Sequence, residues 1–274
     1  MLIDFQAKPY WVMGVVNITP DSFSDGGQFL QTELAVEHGL DLIAQGADIL
    51  DLGAESTRPG ALPVSVDEEL ARLLPVLTIL RQKTDIPISI DTSQPAVMQA
   101  CLAAGASMIN DVRALQLSNA AEVLQGHPDV PVCLMHMQGS PQTMQQQPSY
   151  QSVVDEVIAF LQTRVKQLSI EPSRIVLDPG FGFGKTLEQN IDLFKAIPKL
   201  VDLGYPVLIG VSRKTMIGQL TGQQQPQHRL AGSVAAAVEA VRLGAKIVRV
   251  HDVRATVDAL VVTRALSPHP FIYC

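Results

Sequence analysis

The sequence predicts an α/β protein of the (β/α)8 TIM-barrel class, and three observations carry that expectation. Eight apolar, strand-like runs alternate from end to end with amphipathic helical runs. Several of the strand-like runs are continuously apolar, the pattern of parallel strands covered on both faces. Nearly every run ends in a polar residue that an apolar strand would not select. Asn17, Asp51, Asp91, Asn110, His136, Asp178 and Ser212 each close one, and the eighth run is followed by His251 and Asp252. A barrel gathers all its strand ends on one rim, which turns these scattered residues into one site. The length of 274 residues also suits one such barrel, for which about 250 is typical.

The expected strands are Trp11–Val16, Ile49–Leu52, Ile86–Ile90, Ser107–Ile109, Val132–Met135, Ile175–Leu177, Val207–Val211 and Ile247–Val250. The expected helices are Thr32–Gln45, Ser65–Lys83, Gln94–Ala104, Gln151–Leu168, Leu187–Leu200, Leu230–Leu243 and Val253–Leu266, with the shorter Ser118–Gln125 in the remaining slot. A weak repeat marks the return from helix to strand: Gly46, Gly105, Gly204 and Gly244 each sit between a helix and the next strand. Glycine there takes the left-handed conformation that ends a helix. These short turns belong to the bottom of the barrel, and the longer polar loops after the strands to its functional face. No Pro/Ser-rich linker divides the chain, so residues 1–274 read as a single domain. A doubly wound open sheet is the alternative; eight βα units favour closure.

Composition narrows the function. Charged residues make up only 17% against 47% apolar, which suits a large core. The net charge of −7 argues against a nucleic-acid groove. No apolar run approaches the roughly 20 residues that span a bilayer, and the N-terminus lacks the pattern of a secretory signal. Cys101, Cys133 and Cys274 show no paired spacing, as expected of reduced thiols in a cytoplasmic protein.

The loops carry the chemistry. In NITPDSFSDGG, residues 17–27, Asn17 offers a hard carbonyl oxygen suited to Mg²⁺. In DLGAESTRPGA, residues 51–61, Ser56, Thr57 and Arg58 set two hydroxyls beside a guanidinium, a match for a phosphate or diphosphate. Asp91, Asn110 and Asp178 would meet in the barrel mouth, where an unmet buried polar group costs on the order of 1–3 kcal/mol. A pteridine- or guanine-like heterocycle has the complementary donor edge. The alternative is that these groups satisfy one another or water. DPGFGFGKT, residues 178–186, resembles a phosphate loop, but Pro179 stands where its first Gly should be. Its glycines instead let the backbone approach a flat ligand, with Phe181 or Phe183 lining the pocket. GVSRK is not a nucleophile elbow, because Lys214 occupies its last Gly position. Ser212, Arg213 and Lys214 follow strand seven, a frequent anion site in such barrels. Arg249 and His251 lie two residues apart and so on one side of strand eight, a cation and an imidazole disposed as a diphosphate clamp. The two glutamine-rich stretches, 138–147 and 219–227, read as solvated loops on the active face.

Together the segments GVVNITPDSFSDGG, ESTRPGA, ISIDTSQP, INDV, MHMQGSPQTMQ, LDPGFGFGKT, GVSRKTMIG and RVHDV resemble the dihydropteroate synthase family, over Val12 to Leu260. The resemblance implies the joining of 4-aminobenzoate to 6-hydroxymethyl-dihydropterin diphosphate, giving dihydropteroate and diphosphate. It implies that Asn17 ligates Mg²⁺ and that Thr57, Arg58, Arg249 and His251 hold the diphosphate. Asp91, Asn110, Asp178 and Lys214 would grip the pterin, with Met135 and Phe183 packed on its ring. Phe23, Pro59, Lys214 and Ser212 would shape the aminobenzoate site. Asp91, Asp178, Lys214 and Arg249 would carry the catalytic work. The resemblance further implies small-molecule substrates, competitive inhibition by sulfonamides and a homodimer, for which the Ala/Val/Leu-rich late helices are candidates. The family's pattern is departed from at Ala54, Phe181 and Gln142, all beside matched residues. A corrinoid-dependent pterin methyltransferase module and a non-catalytic pterin-binding paralogue are the rival readings.

Overall fold

The computed structural model describes residues 3–18, 28–55, 64–139, 143–144 and 148–267. Eight strands form one parallel sheet: β1 (Trp11–Asn17), β2 (Ile49–Gly53), β3 (Ile88–Asp91), β4 (Met108–Asp111), β5 (Val132–Met135), β6 (Ile175–Asp178), β7 (Leu208–Ile209) and β8 (Ile247–Val250). The hydrogen-bonded order runs β6-β5-β4-β3-β2-β1-β8-β7. A parallel bridge between Leu177 and Val207, with the Leu177 amide donating to Pro206 O at 2.9 Å, brings β6 against β7 and nearly closes the ring. The expected barrel is therefore the observed fold.

Around it lie α1 (Gln28–Ala44), α2 (Val66–Lys83), α3 (Pro95–Ala103), α4 (Ala120–Gln125), α5 (Val153–Gln167), α6 (Leu187–Lys195), α7 (Ile197–Val201), α8 (Thr215–Thr221), α9 (Leu230–Arg242) and α10 (Val253–Leu266). Two differ from expectation. The run Leu187–Leu200 is split at Ala196 into α6 and α7, because Pro198 supplies no amide to continue the first helix. The glutamine-rich stretch 219–227 is not simply a loop: it holds the end of α8 and the start of a 3-10 turn, Pro226–Arg229. The four turn glycines are left-handed as expected, with φ between 82° and 104°.

The strand period of two sorts the side chains into two cores. Outward residues such as Val12, Val16, Leu50, Leu52, Ile109 and Leu134 pack against the helices. Inward residues fill the barrel: Met13, Ile49, Met108, Cys133, Val176, Leu208 and Ile247 form its lower layer. Ile3, Phe5 and Trp11 plug the bottom, with the Phe5 and Trp11 rings edge to face at 5.9 Å. Two residues further along those same strands come Asp51, Asn110, Met135, Asp178, Gly210 and Arg249. The sheet that buries an oily layer thus aims a polar one at the rim.

Candidate active site

The centre of the mouth is a buried ionic cluster. Arg249 Nε donates to Asp51 Oδ2 at 2.6 Å and Nη2 to Asp91 Oδ2 at 3.0 Å. The Asn110 amide donates to the same Asp51 oxygen at 3.2 Å. The acceptors and donors thus partly satisfy one another, the alternative weighed above. Asp51, at the middle of β2, is fully buried and is the hub of the cluster. The sequence showed it as a strand end but gave it no role. Two carboxyl groups thus share one guanidinium. Burial raises Asp91 to about 7, with Arg249 pulling it down and Asp51, Asp111 and Glu69 pushing it up. Burial disfavours the Arg249 charge, but Asp51 and Asp91 outweigh that and hold it above the ordinary arginine range. Asp51 Oδ1 and Ser89 Oγ, in the same register row, have no hydrogen-bond partner among the described residues. Enclosed polar atoms of this kind are places for an internal water.

Opposite this cluster stands loop 6, residues 179–186. The Gly180 amide donates to Asp178 Oδ1 at 2.7 Å and so fixes that carboxylate. Burial raises the Asp178 carboxyl, while Lys214 and the Gly180 amide pull it back. Lys214 Nζ donates to Phe181 O at 2.6 Å and lies 4.6 Å from the centre of the Phe183 ring. Burial lowers the Lys214 ammonium to about 8, against the opposing field of Asp178. Phe183 joins Met135, Val112 and Met144 in a small apolar cluster at the rim, with Met137 against it. Of the two phenylalanines offered as pocket walls, Phe183 takes that place. Phe181 is fully buried against Phe194, with ring centres 5.7 Å apart.

The ends of β7 and β8 are tied to each other. Ser212 Oγ accepts the His251 amide at 3.1 Å and lies 3.1 Å from His251 Nδ1. Ser212 is buried, and these bonds use its hydroxyl to tie the ends of β7 and β8 together and to orient His251. Arg213 adopts φ 58°, a left-handed conformation that costs on the order of 1–3 kcal/mol in a non-glycine residue. It is held by Ser233 Oγ, which accepts its amide at 2.9 Å, and by Arg229 Nη1, which donates to its carbonyl at 2.8 Å. Its guanidinium forms a two-pronged pair with Asp252. Burial lowers His251 to about 3, helped by Arg249 and Arg213, so its imidazole is neutral at pH 7.

Asn17 ends β1 level with Gly53 and is half-buried. A Cβ placed on Gly53 would meet Asp91 Cβ at 3.5 Å and Asn17 Oδ1 at 3.9 Å, so Asn17 and Asp91 share one corner of the mouth. The structure thus brings together Asn17, Asp91, Asn110, Met135, Asp178, Phe183, Lys214 and Arg249 at one rim, with His251 beside Arg249. Phe23, Thr57, Arg58 and Pro59 lie outside the described residues. His136 does not join the site. It follows the inward Met135 and so points out of the barrel, buried beside Phe160 with ring centres 5.0 Å apart.

A family model described as pterin binding enzyme matches residues 13–251 of the chain. A dihydropteroate synthase of Neisseria meningitidis serogroup C is 53% identical over 262 residues, covering 93% of this chain and 92% of the relative. The chain belongs to the dihydropteroate synthase family of pterin-binding enzymes. Two solved structures of the Xanthomonas albilineans dihydropteroate synthase share its fold. The one with 4-aminobenzoic acid is 51% identical with a TM-score of 0.90, covering 95% of this chain and 94% of that one. The one with 7,8-dihydropteroate is 48% identical with a TM-score of 0.86, covering 95% of each. These relatives favour the synthase over the methyltransferase reading.

Proposed function

We propose that the residues gathered at the barrel mouth carry out the reaction of this family as follows. The chain is a dihydropteroate synthase, a transferase of folate biosynthesis. It condenses 6-hydroxymethyl-7,8-dihydropterin diphosphate with 4-aminobenzoate to give 7,8-dihydropteroate and diphosphate. The observation that supports the division of labour is the polarity of the mouth. Carboxylates and an amide (Asp91, Asn110, Asp178) line one part, and cations (Lys214, Arg249) stand over them. The ring N–H and NH₂ groups of a pterin are donors, and carboxylates accept only. Lys214 is placed to donate to the heterocycle's oxygen or ring nitrogen, and Met135 and Phe183 to cover its faces. Asp51 holds Arg249 from below.

The reaction is a substitution at the pterin's exocyclic methylene. An arylamine is a weak nucleophile, so breaking of the C–O bond runs ahead of C–N bond formation. Asp91 and Asp178 favour the electron-poor pterin by their negative field. Arg249 and the neutral His251, with Thr57 and Arg58, are the proposed diphosphate holders. A diphosphate there would favour the protonated imidazole that burial now disfavours. Diphosphate leaves with the electron pair of the broken C–O bond, the amine nitrogen then donates its lone pair to the methylene, and its surplus proton passes to the departed diphosphate or to water. No covalent enzyme intermediate is required.

Asn17 is the proposed Mg²⁺ ligand. No group of three or more His, Cys, Asp or Glu residues able to hold a metal occurs among the described residues. One hard amide oxygen at the rim suits an ion that keeps water and substrate phosphate oxygens as its other ligands. When bound, Mg²⁺ supplies charge neutralisation of the leaving diphosphate. Phe23 and Pro59, together with Ser212 and Lys214, are the proposed walls of the aminobenzoate site. Release of diphosphate on mixing both substrates, with and without Mg²⁺, tests the reading; release without the arylamine, or none with it, refutes it.

We also take residues 1–274 as one cytoplasmic domain that pairs as a homodimer. No helix among the described residues is long and apolar enough to cross a membrane. The dimer reading is supported by α9 and α10. Ala231, Val234, Ala235 and Val238 of α9 and Ala259 of α10 line an open groove. Val261, Val262 and Leu266 are exposed nearby on α10.

A further inference from the structure

One basic residue of the glycine loop is unused by this mechanism. Lys185 stands where a phosphate-binding lysine would reach for its anion, yet its side chain is turned inward and only 3% of the residue is exposed. Its Nζ donates to Gly180 O at 2.9 Å and to Phe183 O at 3.1 Å, and lies 3.0 Å from His136 Nδ1. Burial lowers Lys185 to about 7, against the field of Asp178; in its ammonium form it has three donors and no acceptor, and these partners use all of them. His136 then carries its proton on Nε2. Burial and the Lys185 charge both disfavour the imidazolium, which agrees with that neutral form.

The partners of Lys185 are the residues that shape the pterin wall. The Gly180 amide holds Asp178, and the Gly180 carbonyl is held by Lys185. Phe183 offers its ring to Lys214 and its carbonyl to Lys185. The loop cannot be braced by bulk, because its backbone runs against the segment after β5. A Cβ on Gly180 would lie 1.8 Å from His136 O, and one on Gly184 2.7 Å from Gln138 O. With φ of 70°, 77° and 65° at Gly180, Gly182 and Gly184, the loop is held by bonds rather than by side-chain bulk. Asn190 Oδ1 accepts the Gly182 amide and the Tyr150 hydroxyl donates to Gly184 O, both at 2.8 Å, and Lys185 bonds the Gly180 and Phe183 carbonyls from beneath. We propose that Lys185 is a positioning residue for pterin binding: from beneath, it closes loop 6 into a ring that aims Asp178 and Phe183 at the heterocycle.

The proposal rests on the pterin-site reading above, and its test separates the two. Lys185→Met keeps length and loses all three donors. The expected result is a KM for the pterin diphosphate raised about tenfold or more, a KM for 4-aminobenzoate within about twofold, and unchanged circular dichroism. An unchanged pterin KM, or parallel rises in both KM values, overturns it. If Lys185→Met does not fold, His136→Phe removes one acceptor while keeping a ring against Phe160. It is expected to show the same split at about two- to fivefold, and no split overturns the proposal. Wild-type protein without turnover would instead overturn the pterin-site reading.

Discussion

Removing Arg249 should cost stability in a way that depends on pH. In Arg249→Met the guanidinium that bridges Asp51 at 2.6 Å and Asp91 at 3.0 Å is gone. Asp51 is fully buried and, among the described residues, keeps the Asn110 amide as its side-chain partner. Stripping one partner from a buried ion pair costs about 3–5 kcal/mol, a large part of the about 5–15 kcal/mol of a typical domain. The sign of the pH effect follows from the carboxylates. Asp91 already sits at about 7 with the arginine pulling it down, so without it the folded-state pKa of Asp91 rises further above the unfolded value. A carboxyl raised in the folded state binds more protons folded than unfolded. The stability it contributes is present below the unfolded pKa and is lost as pH rises through the folded one. The variant should therefore lie closest to wild type near pH 5.5 and fall away towards pH 8. The limiting slope is about 1.4 kcal/mol per pH unit for each proton. Urea unfolding of both proteins at several pH values measures this. A deficit independent of pH would refute the claim that Arg249 is the counter-charge of Asp51 and Asp91. Adding Asp51→Asn to Arg249→Met should recover part of the loss, since it removes one of the stranded charges.

Three further outcomes are expected. Asp178→Asn should lower turnover or pterin affinity by about 10²-fold, near 2.7 kcal/mol; steady-state kinetics with unchanged constants would contradict the assignment. The kcat/KM for the pterin diphosphate should fall below about pH 7, as Asp91 takes up a proton, and above about pH 8, as Lys214 loses one. A profile flat from pH 6 to 9 would remove both groups from substrate binding. Val262→Lys on the exposed face of α10 should shift the protein from dimer to monomer in sedimentation at micromolar concentration, without loss of fold. Wild type sedimenting as a monomer would discount that face.

Much of this architecture was legible in the chain. The apolar runs and the turn glycines specify strands and their order, because a covered parallel strand has few other ways to look. The polar strand ends announced a rim, but not which member of each neighbouring polar pair faces in. Asn110 enters the barrel while Asp111 turns outward to hold Ser93 and the amides of Arg113 and Leu115. Met135 enters while His136 does not. A one-residue change in register exchanges such neighbours, and the composition of a four-residue strand does not fix its parity. Asp51 was seen as a strand end only, because its importance lies in Arg249, 198 residues away. Lys185 was hidden for a different reason: its loop failed as a phosphate loop, which left the lysine without a role, and only the close approach of two backbones shows it facing His136. The break at Ala196 was the most readable miss, since Pro198 stands in plain view.

The oily plug of Ile3, Phe5 and Trp11 leaves the described barrel with a single door. Both reactants enter, and the joined product leaves, past the same polar lip. Whatever occupies that threshold last must go first. Entry and exit are thus last in, first out, and the shared entrance is the place where the two substrates meet each other's path.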